Sequence, residues 1–455
     1  MLKITPTILV AALVSSGCTM IPKYEQPVSP VAAQYPGVTQ TNVSNVSDLG
    51  WETVFTDERL QQLIRLSLTN NADYQVAVLN VEQSRAQYRI TRSASFPSVS
   101  AGGSYTRAGN FTTASEAWSA SLGSTAYEVD LFGRVRSQNR QALETFFATA
   151  EAQRSAKISL VAEVATEYFV LRQAEEQIAL AQETLKSVED SYALNQANFD
   201  AGATSELDLR TAEGQVQTAK INLLTYERAR AQAVNYLVLL IGQGVPTNLP
   251  AASPFNATNL VAEVSPGLPS ELVQRRPDIL QAEHTLKAAN ANIGAARAAF
   301  FPTISLTANV GVKSSQLADL FASGTGVWSF APQITLPIFT GGQNKASLDS
   351  AKIGQRIDVV NYQKAIETAF REVADALVAS SSYAAQIDAE FKLINAQQRR
   401  YELANLRYRQ GDDTYLNVLS AQQDLYNAQQ ELLQAQFRKL ASQISLYQAL
   451  GGGWK

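Results

Sequence analysis

The chain has 455 residues, 17% of them charged, with a formal net charge of −4. That balance leaves no basic footprint for nucleic acid. One cysteine excludes an intrachain disulfide and a cysteine-rich metal site, and around the one histidine, His284, no Ser/His/Asp constellation is visible. No phosphate-binding glycine loop is present, so the chain reads as a non-enzyme without cofactor or metal.

Taken in order, residues 1–17 carry Lys3, an apolar run from Ile8 to Val14, and then Ser15-Ser16-Gly17 before Cys18. This is the charged, apolar and small-residue order of an export signal. A cysteine directly after small residues resembles the bacterial lipoprotein signal, in which the peptide is cut before Cys18 and the thiol is lipidated. Ser15 stands where such signals usually carry Leu. Thr19 stands where Asp would mark inner-membrane retention in enteric bacteria. Residues 18–50 are rich in Pro, Val, Ser, Thr and Asn and read as extended.

Residues 51–242 form a first repeat. Helical periodicity covers 57–95, with a break at Asn70-Asn71 and an end at Pro97. The period then drops to two across about 97–131: Val99, Ala101, Gly103 and Tyr105, then Trp118, Ala120 and Leu122, alternate with small polar residues, as in a hairpin. From Arg134 a seam at steps of three and four (Leu171, Ala174, Ile178, Ala181, Leu185, Val188) runs to a turn at 200–205. Its return helix ends near Gly242. The 3.5-residue period implies a left-handed coiled coil.

Residues 243–266 hold several prolines and read as a linker. A second repeat, 267–450, follows, and 451–455 form a tail. A helix from about 270 to 300 is interrupted early by Pro277 and ended by Pro302. A second hairpin at about 303–338 places Ile304, Leu306, Ala308, Val310, Trp328, Phe330, Ile334, Leu336 and Ile338 on one face. Ser305, Thr307, Asn309, Ser329 and Gln333 lie on the other. Gly341-Gly342 opens a helix that turns at 409–414 and returns to Leu450. Gly202 and Gly411 are 209 residues apart, and the seams, Tyr192 with Tyr401, and Gly242 with Gly451 keep that offset. Each outgoing helix, of roughly 65 residues, is about 100 Å long.

The strand faces decide the setting. One face is apolar and aromatic, and the other is Ser, Thr, Asn, Gln and Gly, as in a membrane barrel with a wet lumen. Leu122, Leu306, Val310 and Leu336 are the expected lipid-facing residues. Four strands cannot close in lipid, where open edges are not tolerated. Two copies would give eight strands around a filled interior. Three would give twelve, with a backbone radius of roughly 12 Å. The expected fold is therefore α+β, mainly α, with duplicated long coiled-coil hairpins and four transmembrane strands per chain.

Four stretches carry a resemblance to a family. They are Ala126-Tyr127-Glu128-Val129-Asp130-Leu131-Phe132-Gly133-Arg134, Arg275-Arg276-Pro277-Asp278-Ile279, the run from Ala288 to Pro302, and Leu450-Gly451-Gly452-Gly453-Trp454. They resemble the TolC-like outer-membrane efflux ducts, most closely the lipidated OprM-like (NodT-type) branch, over nearly the whole mature chain. The resemblance implies a homotrimer whose twelve-stranded outer-membrane barrel continues into a periplasmic α-helical tube girdled by an α/β belt. It also implies passage of drugs or other small molecules from an inner-membrane pump through a periplasmic adaptor, with no chemistry by the duct itself. The resemblance places a periplasmic constriction at Leu416, Asn417 and Ser420. The hairpin tips, at Gly202, Thr204, Asp208, Gly411, Asp412 and Asp413, become candidate adaptor contacts. Relatives carry Asp where this chain has Ser420, and TolC has Asp where it has Asn417, so the expected acidic ring is missing from its place. His284 and Arg275-Arg276 read as structural. A pore-free periplasmic adaptor or coiled-coil scaffold lipoprotein is the alternative; a passive porin conflicts with the helix content.

Overall fold

The computed structural model describes residues 19–35, 50–255, 260–262, 273 and 275–453. The export signal, Cys18 and parts of both predicted irregular segments lie outside them. Three helices open the described chain: α1 (Trp51–Val54), α2 (Glu58–Asn70) and α3 (Ala72–Ser93). A hairpin of β1 (Ser100–Gly109) and β2 (Ala114–Val129) follows, and then α4 (Arg134–Asp200) and α5 (Glu206–Ile241). The order recurs as α6 (Pro277–Ala298), β3 (Thr303–Ser314), β4 (Gly326–Thr335), α7 (Gln343–Gln410) and α8 (Tyr415–Ala449). The chain divides into two compact units.

The first unit holds residues 79–151, 280–365 and the N-terminal segment to Ser29. Its centre is one antiparallel sheet in the order β1-β2-β3-β4. Register puts Ala101 beside Leu122, Leu122 beside Val310, and Val310 beside Trp328. Leu306 lies between Tyr127 and Pro332. One face is thus apolar across all four strands at its middle, and Leu122 and Val310 on it are 54% and 61% exposed; Ser124, Ser314 and the Arg107–Glu116 pair lie towards its ends. The opposite face aligns Gly102 with Ser121, Ser121 with Gly311, and Asn309 with Ser329. There Ser104 and Ser119 share a hydroxyl hydrogen bond at 2.8 Å.

Strict alternation from Trp118 would put Tyr127 on the polar face. A bulge prevents this. The pairing slips between Ser124 and Tyr127, so that two β2 residues oppose Thr307 alone. Ala126 has φ 54°, and its N–H donates to Thr307 Oγ1 at 3.0 Å. Tyr127 and Val129 therefore join the apolar face. Leu336, expected in the last strand, lies one residue beyond β4, before Pro337. Pro337 has no N–H to extend the ladder. The first hairpin is also narrower than 97–131, because Ser95 and Phe96 still close turns on the end of α3.

The second unit holds 30–78, 152–279 and 366–455. Its long helices pack through apolar and small residues at steps of three and four: Val216, Ala219, Ala233, Leu237 and Leu240 on α5, and Leu425, Ala428, Ala435, Leu446 and Ala449 on α8, are buried, while Leu223, Tyr226 and Leu432 in the same rows are half-buried. Phe55 pairs with Val261 in an isolated antiparallel bridge and packs edge-on to Tyr447, with ring centroids 5.3 Å apart. Asp57 caps α2 through Leu60 N–H at 2.9 Å and accepts from Tyr168 Oη at 3.1 Å and Ser253 N–H at 2.9 Å. These contacts build a small mixed layer against the helices.

Candidate functional site

The hairpin turns are duplicates down to their hydrogen bonds. At the first, Ala203 N–H donates to Asn198 O at 2.8 Å and Gly202 N–H to Phe199 O at 2.9 Å. At the second, Asp412 N–H donates to Arg407 O and Gly411 N–H to Tyr408 O, both at 3.0 Å. Gly202 and Gly411 have φ 74° and 80°, the left-handed residue of this helix ending. The caps differ. Ser205 accepts from Asp208 N–H at 3.2 Å, while Asp208 Oδ2 accepts from the hydroxyls of Ser205 at 2.7 Å and Thr204 at 3.2 Å. Thr414 stands at the second N-cap without a side-chain bond. Asp413 takes over: its Oδ1 accepts from Thr414 N–H at 2.8 Å and from Asn417 Nδ2 at 2.5 Å. Those two bonds, with Arg407 at 3.4 Å, hold the Asp413 carboxyl below its ordinary range. Asp412 is exposed, and its carbonyl accepts from Arg407 Nη2 at 3.4 Å.

Leu416, Asn417 and Ser420 share one exposed face of α8, with Leu416 66% exposed. The neighbouring Tyr415, Val418, Leu419 and Ala421 are buried with Ala212 and Ala404, against Tyr192, Tyr401 and Tyr408. Burial pushes the Tyr415 hydroxyl up to about 12. Tyr408 Oη donates at 3.3 Å to the fully buried Asn195, which ties the two hairpins together near their turns. The duplicate of Leu416 is Leu207, 75% exposed.

The acid missing at Ser420 reappears one turn on. Asp424 pairs with Arg400 at 2.5 Å, and Arg400 Nη2 also donates to Ser420 Oγ at 3.2 Å. Ser420 and Asp424 are four apart and so share a helix face. That spacing is the signal a sequence reading could have used; the pairing with Arg400, on another helix, leaves none.

His284 and Arg276 occupy packed positions. His284 Nδ1 lies 2.6 Å from Glu144 Oε2, and Glu144 also pairs with Arg140 at 2.6 Å. Arg276 binds Asp278, Glu372 and the Ala449 carbonyl. Among the described residues, no group of three His, Cys, Asp or Glu side chains could hold a metal, and no helix is long and apolar enough to cross a membrane. The remaining candidates on the sheet, Leu122, Leu306 and Val310, lie on its apolar face as described above.

Comparison with known proteins covers both halves. The family described as Outer membrane efflux protein matches residues 63–243 and 268–452. The chain is 47% identical over 461 residues to the toluene efflux pump outer membrane protein TtgC of Pseudomonas putida, covering 98% of this chain and 95% of that protein. It is 39% identical to the cation efflux system protein CusC of Escherichia coli, covering 98% and 97%. Its fold is similar to the open state of the Neisseria gonorrhoeae MtrE outer membrane channel, with a TM-score of 0.91, 43% identity, and 96% and 99% of the two chains covered. It is also similar to the Campylobacter jejuni CmeC outer membrane channel, with a TM-score of 0.89, 27% identity, and 96% and 95% covered.

Proposed function

This chain belongs to the outer membrane efflux protein family, and from that premise we propose that three copies close a twelve-stranded barrel and form a duct for small molecules. The observation that carries this reading is the sheet. It has a face that is apolar across the middle of all four strands, a small polar face, and two strands, β1 and β4, that among the described residues are paired on one side only. An unpaired edge is not tolerated in lipid, so each β1 meets the β4 of another copy. Twelve strands leave a bore where eight would not. The duct serves an inner-membrane pump through a periplasmic adaptor, which the hairpin turns at Gly202, Thr204, Asp208, Gly411, Asp412 and Asp413 contact. Its cargo is drugs or other small molecules; a 47% identical relative is named for toluene efflux. Leu416 forms the narrowest ring, with Asn417 and Ser420 beside it. Cys18 carries the lipid.

The following experiments test this. Purified protein in planar bilayers gives discrete conductance steps and runs as a trimer that dissociates on heating. Loss of the gene lowers resistance across a drug panel. A protein that becomes soluble once Cys18 is replaced by Ser, and never conducts, is a scaffold instead. Labelled palmitate enters wild type and not Cys18→Ser; absence of label from wild type removes the lipid anchor.

A further inference from the structure

The two halves of the first unit treat one helix face differently. Helices α3 and α6 begin and end 205 residues apart, so each position on one has a counterpart on the other. On α6 one face is covered by the extended segment that follows Cys18. Tyr24 Oη donates to Glu283 Oε1 at 3.1 Å, and Lys287 stands 5.3 Å over the Tyr24 ring. Asn290 Nδ2 donates to Pro22 O at 2.8 Å and Arg297 Nη1 to Met20 O at 3.2 Å. At Gly294 an added Cβ would stand 2.6 Å from Ile21 Cγ1, so the segment is seated directly on the helix backbone.

The counterparts of Asn290, Gly294 and Arg297 on α3 are Arg85, Arg89 and Arg92. All three are exposed, and among the described residues none has an ion pair or hydrogen-bond partner for its guanidinium. Their spacing of four and three aligns them on one side of the helix. Among the acids of α3 only Glu82, also exposed, lies on that side. The stripe stops at the sheet. Ser95, just past the end of α3, accepts through its carbonyl from Tyr127 Oη at 3.2 Å and through its hydroxyl from Asn139 Nδ2 at 2.6 Å. Tyr127 belongs to the apolar face of the sheet, so the arginines approach the rim of the surface that meets lipid.

We propose that Arg85, Arg89 and Arg92 bind the phosphates of anionic phospholipid headgroups in the periplasmic leaflet, a proposal that rests on the barrel reading above. Guanidinium forks match phosphate oxygens in geometry and charge. In the second repeat the same face is used by the segment leading to the lipidated Cys18. In the first repeat no segment among the described residues covers it, and free lipid takes the corresponding place. The duct is thus held at fixed height by a covalent lipid on one repeat and bound lipids on the other.

The test uses the full-length trimer in mild detergent, titrated with phosphatidylglycerol or phosphatidylcholine and read by native mass spectrometry. Wild type binds phosphatidylglycerol in preference. Near a membrane surface each arginine contributes about fivefold in affinity, so replacing all three by Gln weakens binding on the order of a hundredfold. The all-Lys variant retains most of it, and Arg399→Gln, an exposed control in the other unit, retains all of it. If the triple variant does not assemble, Arg89→Gln alone shows the fivefold loss. Equal phosphatidylglycerol binding by wild type and the Gln variants overturns the proposal, as does no preference over phosphatidylcholine. A change in ion selectivity with unchanged lipid binding places the arginines in the lumen and equally overturns it. Wild type that conducts but shows no lipid preference refutes only this site; wild type that neither assembles nor conducts refutes the duct.

Discussion

Asn71 and Arg276 make the same bond in the two repeats. Asn71 Nδ2 donates to Leu240 O at 3.0 Å, and Arg276 Nη1 to Ala449 O at 2.8 Å. Each stands immediately before its helix, α3 or α6, and each holds the last turn of the return helix, α5 or α8. The glycines that end those turns are duplicates too. Gly242 (φ 74°) abuts the Asn70 backbone, and Gly451 (φ 90°) abuts that of Arg275. In the first copy an amide also caps the following helix, through Tyr74 N–H at 2.8 Å. In the second, a buried guanidinium adds Asp278 and Glu372.

That difference predicts unequal costs. Arg276→Gln strands a buried carbonyl and removes charged bonds to two part-exposed acids, a loss of about 3 kcal/mol. Asn71→Ala removes a cap and one bond, about 1–2 kcal/mol. Urea unfolding of the second unit's helices, followed by circular dichroism, gives the order. Equal midpoints for the two variants would show that the guanidinium adds nothing over the amide.

The sheet faces give a second prediction. Leu306→Arg puts a cation on the apolar face and costs about 2–4 kcal/mol if that face meets mid-membrane lipid. Ser329→Arg, on the opposite face, leaves trimer yield intact and lowers conductance. Thr307 is a poorer probe of the polar face, because its hydroxyl accepts the Ala126 N–H in the bulge. Equal trimer yields from Leu306→Arg and Ser329→Arg would reverse or abolish the facial assignment.

Much of this sheet was legible in the sequence, and the exception is instructive. Alternation alone assigns Leu122, Leu306 and Val310 to one face, and the register agrees. The bulge shows in sequence only as a parity change: Trp118, Ala120 and Leu122 are even-numbered, Tyr127 and Val129 odd. A bulge shifts the side-chain period by one residue, and nothing in the composition of Ser124-Thr125-Ala126 marks it. The duplication was legible from its glycines, which must adopt positive φ. The Arg400–Asp424 pair was not, since a cross-helix ion pair leaves no periodic trace.

Glu144 predicts an acid-sensitive first unit. Burial raises the Glu144 carboxyl, but the His284 hydrogen bond and Arg140 outweigh it and leave it lowered from 4.5. A carboxyl lowered in the folded state contributes stability above its unfolded pKa. That contribution is lost as pH falls through the lower folded value. The expected loss therefore lies below about pH 4.5. Glu144→Gln is less stable at pH 7, and its melting temperature falls less between pH 5 and pH 3. A wild-type and variant pair with parallel pH profiles would remove Glu144 from the acid response.

The last prediction concerns the exposed face of α8. A narrow apolar ring closes a pore by dewetting, so Leu416→Ala raises the conductance of the trimer in planar bilayers. Ser420 presents no charge, and the nearest acid on its face, Asp424, is matched by Arg400. In the proposed trimer the three pairs therefore add no net charge beside Leu416. Arg400→Ala releases three carboxylates at once, and Ser420→Asp adds three a turn nearer to Leu416. Both variants raise cation preference, seen as a shifted reversal potential in a salt gradient. Each variant adds one negative charge per chain, and the shift is larger for Ser420→Asp, which sets its carboxylates closer to the constriction although each shares Arg400 with Asp424. If Leu416→Ala leaves conductance unchanged and neither charge variant shifts the reversal potential in intact trimers, this face packs between hairpins and does not line the pore.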